Sequence, residues 1–117
     1  MSKEYVFLMV ALVDELEKVF ISTNKIDKLY DVYKFVIVVP QKDLDVFKNR
    51  FRLKRNVHII NENLIVNKDK FYDLCNKYLG NNKDFGSFRK NWYYQQVLKL
   101  TYTLNEKFFT SHNFVMW

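Results

Sequence analysis

Apolar runs of strand length alternate along this chain with stretches in which apolar residues recur at helical spacing. Two runs, Tyr5–Val13 (with a strand over Phe7–Leu12) and Phe35–Val39, are almost continuously apolar, as strands are when both faces of a parallel sheet are covered. Shorter runs of the same kind follow at Val57–Ile60 and Phe114–Met116. The alternation predicts an α/β fold of three layers, with a mostly parallel sheet of about four strands joined by right-handed crossovers.

Helices are predicted between these strands. Asp14 is a suitable N-cap for the first helix, which is expected to fray near Ser22–Lys25, with a further turn in the segment up to Asp31 as the alternative. The second helix is predicted over Leu44–Phe51 and the third over Asp69–Leu79. The residues predicted to point inward are Leu16, Val19, Phe20 and Thr23 in the first, Leu44, Phe47 and Phe51 in the second, and Phe71 or Tyr72, Leu74, Cys75 and Tyr78 in the third.

Ligands of open parallel sheets bind beyond the carboxyl ends of the strands, near the point where the strand order reverses. In this sequence those ends are Leu12–Asp14, Val39–Lys42, Asn61–Asn63 and Trp117. The chain contains only two glycines and has no Gly-rich phosphate loop. The sequence therefore argues against a dinucleotide-binding Rossmann domain and against a P-loop enzyme.

Asn91–Leu104 is predicted to be an amphipathic helix of unusual composition. Its predicted inward side collects Tyr93, Val97, Leu100, Thr101 and Leu104. Its predicted outward side collects Trp92, Gln95, Gln96, Lys99 and Tyr102. Flat rings beside amide donors and acceptors are suited to a polar, ring-shaped ligand. A helix buried on both sides, with the two glutamines satisfied internally, is the alternative, and the residues alone leave both interpretations open.

A polar stretch, Asn81–Lys90, precedes this helix and is predicted to be a loop that grips the ligand. Arg89 or Lys90 at the helix entry, together with Lys99, is suited to neutralising a diphosphate. The alternative is that these cations are simply solvated.

Trp92 or Tyr93 is suited to stacking on a base or a sugar, and Gln95 and Gln96 are suited to binding sugar hydroxyls. The alternative is that both aromatic residues belong to the core, as aromatic residues often do.

The run N-W-Y-Y-Q-Q-V-L-K-L, followed by a strand ending F-V-M-W, resembles the middle of a bacterial glycosyltransferase-like family of GT-A type fold, which is encoded with capsule or lipopolysaccharide genes. The run F-V-I-V-V-P-Q-K-D-L-D-V-F is similar to the second strand of that family and its following turn. The likeness extends roughly from Phe7 to Trp117. It implies half of a GT-A domain that binds a nucleotide sugar for surface polysaccharide synthesis through Arg89, Trp92, Gln95, Gln96 and Lys99.

In that family the strand after the Gln-Gln helix leads directly into an Asp-x-Asp pair, which holds a divalent cation such as Mn²⁺ or Mg²⁺. The sequence stops at Trp117, where the pair is expected. We therefore expect residues 1–117 to be a single truncated domain, without catalytic or metal-binding residues of its own and inactive alone. Its expected partners are the nucleotide sugar and a second chain, either a homodimer mate or a chain that completes the domain.

Asp43 and Asp45 also spell Asp-x-Asp, but they open a predicted helix, where aspartate is an ordinary choice. We interpret them as helix-start residues rather than as metal ligands. His58 and His112 have no second ligand at metal-binding spacing. Cys75 has no local histidine and is predicted to be a core residue.

The net charge of +6 indicates affinity for anions, although lysine is spread along the whole chain and Lys48–Arg55 is merely its densest stretch. For that reason nucleic acid is not an expected partner. A single cysteine, no apparent signal peptide and no apolar run of about 20 residues predict a cytoplasmic chain without a membrane span. The alternative function is a non-enzymatic partner-binding or regulatory α/β domain that associates through an exposed sheet edge.

Overall fold

A computed structural model describes the chain over residues 5–30, 32–79, 87–104 and 113–116. Strands and helices alternate through most of this length, so the predicted α/β class is confirmed. The elements are β1 (Tyr5–Val10), α1 (Leu16–Leu29), β2 (Val32–Val39), α2 (Leu44–Arg50), β3 (Val57–Asn61), α3 (Lys68–Leu79), α4 (Ser87–Leu104) and β4 (Asn113–Met116).

The sheet has the order β3-β2-β1-β4, and every neighbouring pair is parallel. Phe7 pairs with Phe35 at the centre, while Ile37 pairs with Ile59 towards β3. From β1 the chain adds β2 and then β3 towards one edge of the sheet. β4 pairs with the opposite side of β1, so the strand order reverses between β1 and β4.

Alternate residues of β1 and β2 build two separate cores, one on each face of the sheet. Phe7, Met9, Phe35 and Ile37 pack with residues of α1 and α2 on one face. On the other face lie Val6, Leu8, Val36 and Val38, covered by Tyr94, Leu98 and Tyr102 of α4 with Phe71 and Tyr72 of α3 beside them. Burial on both faces explains why β1, and β2 from Phe35 onwards, are apolar at every position.

The first half of the chain follows the predicted pattern with two differences at element ends. β1 stops at Val10, since Val13–Glu15 turns into a short 3-10 helix before α1 begins. α1 does not fray at Ser22–Lys25 but continues to Leu29. Thr23 is buried there as predicted, and its hydroxyl donates to the carbonyl of Phe20 at 2.8 Å.

Two predictions for the second half are wrong. Leu74 and Tyr78 of α3 are exposed, although Cys75 between them is buried as predicted. The stretch Asn81–Lys90 is not a loop throughout, because α4 already begins at Ser87, and its first six residues lie outside the described part of the chain.

The inward side of α4 also differs from the prediction. Tyr94, Leu98 and Tyr102 are buried, whereas Tyr93, Leu100 and Leu104 are 43%, 54% and 77% exposed. The buried stripe is rotated from the predicted one by about a third of a turn. Tyr94 explains the rotation, because its ring packs on Phe71 and Tyr72, and its hydroxyl donates to the carbonyl of Val66 at 2.5 Å.

The orientation of α4 predicts that alanine substitution of two leucines close in sequence lowers the free energy of unfolding by different amounts. Leu98→Ala leaves a cavity in the core, and we expect it to lower the free energy of unfolding by about 2–5 kcal/mol. Leu100→Ala removes an exposed side chain and is expected to change it by no more than about 0.5 kcal/mol. Urea denaturation of the two variants measures both values. Equal costs, or a larger cost for Leu100→Ala, would contradict the described orientation.

Candidate ligand-binding site

The carboxyl edge of the sheet is formed by turns that follow the strands directly. β1 leads into the 3-10 turn Val13–Glu15, β2 into Gln41–Asp43 and β3 into Glu62–Leu64. Each turn begins where the apolar strand pattern gives way to polar residues, so charged and amide groups collect at this edge. This is the edge at which parallel α/β sheets bind ligands.

Asp43 links the first two turns. It is buried, and its Oδ2 accepts a hydrogen bond from the backbone N–H of Val13 at 3.2 Å. Asp43 stands at the N-cap position of α2, as its place at a predicted helix start implies, but its side chain does not cap that helix. Asp45 is exposed, so the two carboxylates of this Asp-x-Asp have separate surroundings.

The third turn is held by asparagine side chains. Asn61 Oδ1 accepts from the N–H of Asn63 at 3.0 Å, and Asn63 Oδ1 accepts from the N–H of Lys68 at 3.2 Å. These bonds connect the end of β3 with the first residue of α3. Side chains from both elements therefore border the same space.

That space is a cavity of about 340 Å³ at the carboxyl ends of β2 and β3. Its volume is within the range of small-molecule sites. It is lined by Pro40, Gln41, Lys42, Glu62, Asn63, Lys68 and Asp69, a set that includes two ammonium groups and two carboxylates.

Glu62 is the most unusual group in this lining. Its side chain is only 5% exposed, and Oε2 has no hydrogen-bond partner among the described residues. The Tyr94 hydroxyl, which donates to the carbonyl of Val66, also acts on the Glu62 carboxyl as a hydrogen-bonding neighbour. Burial raises the pKa of the Glu62 carboxyl, and the nearby Lys68 ammonium only partly opposes this. The pKa of Tyr94 is also raised, first by burial and then by Glu62.

Four of the five residues predicted to form the site on α4, Trp92, Gln95, Gln96 and Lys99, do not line this cavity. Trp92 is half exposed and meets Tyr93 edge-to-face, with 5.1 Å between ring centroids. Gln95, Gln96 and Lys99 are partly buried on the same helix. Arg89 belongs to α4, but its side chain lies outside the described part of the structure. Whether these five residues bind a ligand therefore stays a prediction.

Lys90, the other cation predicted to bind a diphosphate at the helix entry, has a structural contact. Its ammonium donates to Asn76 Oδ1 of α3. Together with the packing of Tyr94 on Tyr72, this bond sets α3 and α4 side by side in opposite directions.

The described residues do not test the divalent cation that the resemblance predicts. No three His, Cys, Asp or Glu side chains come together in this part of the chain. We accordingly derive no chemical step through a divalent cation.

Sequence reasoning identified the end of β3 as a ligand-binding position but did not select Glu62 or Lys68. The usable signal was the charged residue placed directly after an apolar strand, at the edge where ligands bind. Tyr94, one of the neighbours of Glu62, is remote in sequence, so the surroundings of this carboxyl were not visible in the local pattern.

The raised pKa of Glu62 predicts a pH dependence of stability. The folded state favours the protonated carboxyl. The contribution of Glu62 to stability is therefore complete below its pKa in the unfolded chain, and it is lost as the pH rises through its pKa in the folded chain. We expect Glu62→Gln and Glu62→Met to be more stable than the native chain at about pH 7.5, with the difference shrinking towards about pH 4.

Glu17 provides a control for which the pH dependence of stability has the opposite sign. A hydrogen bond from Arg50 lowers the pKa of its exposed carboxyl, so Glu17→Gln should cost stability at pH 7.5 and not at acidic pH. Urea denaturation at several pH values measures all three variants. A loss of stability in both Glu62 variants at neutral pH would show that the buried charge has a favourable partner.

No protein-family model matches the chain, and neither the curated proteins nor the solved structures contain a match. The resemblance to glycosyltransferase-like proteins therefore stays a prediction from sequence. Among the described helices, none combines the length and the apolar character needed to cross a bilayer.

Proposed function

We propose that this chain is a glycosyltransferase-like domain of GT-A type that binds a nucleotide sugar for surface polysaccharide synthesis. In this proposal the nucleotide sugar occupies the cavity beyond β2 and β3. One observation carries the proposal: the buried carboxylate of Glu62, whose Oε2 has no hydrogen-bond partner among the described residues, lines a cavity that also holds the ammonium of Lys68. A protein gains little stability from such an arrangement, whereas a ligand with matching groups would satisfy it.

The cations of the cavity suit the diphosphate of such a ligand. Lys42 lies in the turn after β2 and Lys68 at the start of α3, so the two ammonium groups that line the cavity belong to different elements. Lys68 Nζ also lies 5.7 Å and 5.8 Å from the ring centroids of Tyr72 and Tyr94, within the range of cation–π attraction. These contacts orient one ammonium towards the cavity wall that contains Glu62.

Glu62 suits the hydroxyl groups of a sugar or a ribose. An ionised carboxylate only accepts hydrogen bonds, and sugar hydroxyls are donors that water otherwise satisfies. Inside the cavity a hydroxyl would donate to Oε2 and stabilise the charged form that burial disfavours. Binding is therefore expected to lower the pKa of Glu62.

A partner-binding domain is the second candidate. It is favoured by β4, which has β1 on one side and no described strand on the other. The exposed side of α4 adds apolar surface through Trp92 and Leu100. An unpaired strand edge and exposed apolar side chains both promote association with another chain.

We expect uridine or guanosine diphosphate to bind weakly, with a dissociation constant of about 1 mM, and UDP-glucose more tightly than UDP. Chemical-shift perturbation should concentrate on the amides of Gln41, Lys42, Asn63 and Lys68. Lys68→Gln is expected to weaken binding roughly fivefold, or about 1 kcal/mol. Lys70→Gln, which removes an exposed cation of α3 outside the cavity, is the matched control and should change nothing.

Two outcomes would contradict the cavity assignment. Shifts clustered on Gln95, Gln96 and Lys99 would place the nucleotide on α4, as the sequence resemblance predicts. An absence of shifts at saturating concentrations of all three ligands would remove nucleotide-sugar binding altogether and favour the partner-binding domain.

A further inference from the structure

A second hollow region, remote from the carboxyl-edge cavity, follows the outer edge of β3. One part has a volume of about 490 Å³ and is lined by all four residues 57–60 together with Lys34, Lys48, Arg52 and Lys54. An adjoining part of about 340 Å³ shares Lys34 and His58 with it and adds Arg55. We call the two parts the β3 groove. Among the described residues, no aspartate or glutamate lines either part.

The groove exposes backbone as well as side chains. β3 is the last strand of the sheet on its side, and the described residues place no further strand beside it. The N–H of Phe35 in β2 donates to the carbonyl of Asn56 at 2.7 Å. In a parallel pair, every second residue of a strand directs its backbone groups at the same neighbour, so His58 and Ile60 also direct theirs at β2. The N–H and C=O of Ile59 therefore point away from β2, into the groove.

Cations flank this strand edge on both faces of the sheet. Lys48 and Arg52 come from α2 and the turn after it, on the face covered by α1 and α2. Phe35, Val57 and Ile59 pack on the face covered by α1 and α2. Lys34 and His58 are next to them along β2 and β3, so their side chains lie on the opposite face.

Two neighbouring cations are held by other contacts. Arg50 donates to both carboxylate oxygens of Glu17, at 2.8 Å and 3.1 Å, and its guanidinium lies 3.5 Å from the ring centroid of Phe20. The ammonium of Lys54 donates to Asn24 Oδ1. These contacts fix the segment between α2 and β3, while Lys48 and Arg52 remain exposed.

We propose that the β3 groove binds an extended acidic segment of a partner protein, which joins the sheet as a strand beside β3. The N–H and C=O of Ile59 would pair with the backbone of that segment. Successive side chains of a strand point to opposite faces, so acidic residues on one face would meet Lys48 and Arg52 and those on the other would meet Lys34 and His58.

The observations favour a peptide over the other polyanions. Single-stranded nucleic acids bind by stacking successive bases on exposed rings, but His58 is the one exposed ring among the described residues of the groove, since Phe51 and Tyr102 are only 3% and 2% exposed. A second copy of the chain would bring the same net charge of +6 to a basic surface. Burial and the nearby Lys34 lower the pKa of His58, and an acidic strand would reverse the second effect.

The probe is a synthetic eight-residue peptide in which glutamate alternates with threonine. At low salt we expect a dissociation constant of about 0.1 mM, weakening as salt is added. Hydrogen exchange of the Ile59 amide should slow on binding, because a new strand protects it. The double variant Lys48→Gln, Arg52→Gln should bind three- to tenfold more weakly, while Lys70→Gln, Lys77→Gln, which removes the same charge from α3, should bind as the native chain does.

Two further ligands decide between a strand and a general polyanion. The same peptide with N-methylated backbone amides keeps its charge but cannot pair with β3, so it should not bind detectably. An eight-nucleotide oligothymidine should leave Ile59 exchange unchanged. If either ligand binds as tightly as the unmodified peptide, or if the unmodified peptide does not bind at all, the proposal is overturned. The cavity at Glu62 contributes no residue to this groove, so nucleotide binding can fail without affecting the result.

Discussion

The whole structure depends on burying β2 on both of its faces. Val36, Ile37 and Val38 have no measurable exposure, so helices must cover the sheet from both sides. α1 and α2 meet this requirement on one face and α4 with α3 meets it on the other. Where β2 is buried in this way, from Phe35 to Val39, it has no polar side chain. Charged groups occur instead at Lys34, before the buried part of β2, in the turns after the strands and along the outer edge of β3.

The turns after the strands and the outer edge of β3 differ in the burial of their charged side chains. At the carboxyl edge, Glu62 is enclosed by α3 and α4, so its ionised form lacks solvation and lacks a partner for Oε2. Along β3, Lys48 and Arg52 are exposed, and Lys34 is partly buried. The first region is suited to a small ligand that brings its own hydrogen-bond donors. The second is suited to a long, flexible ligand of opposite charge.

The sequence predicted the strands well because they are continuous apolar runs, and it predicted the inward sides of α1 and α2 well because most apolar residues of these helices share one side. The side of α4 that packs on the sheet could not be predicted in the same way. Aromatic and aliphatic residues occur all around that helix, so periodicity gives no clear direction. The choice is made by tertiary contacts, above all by the carbonyl of Val66, which accepts the Tyr94 hydroxyl. Glu62 was missed for the same reason, since its burial is created by that packing.

The links between α1 and the segment before β3 have a consequence for recognition. Glu17 with Arg50, Asn24 with Lys54, and Asp27 with Asn56 join the two parts at three successive points along α1. A segment fixed at three points has already lost most of its conformational freedom when the protein folds. A partner docking along β3 would therefore meet a surface whose ordering is complete, and the entropy lost on association would fall mainly on the partner.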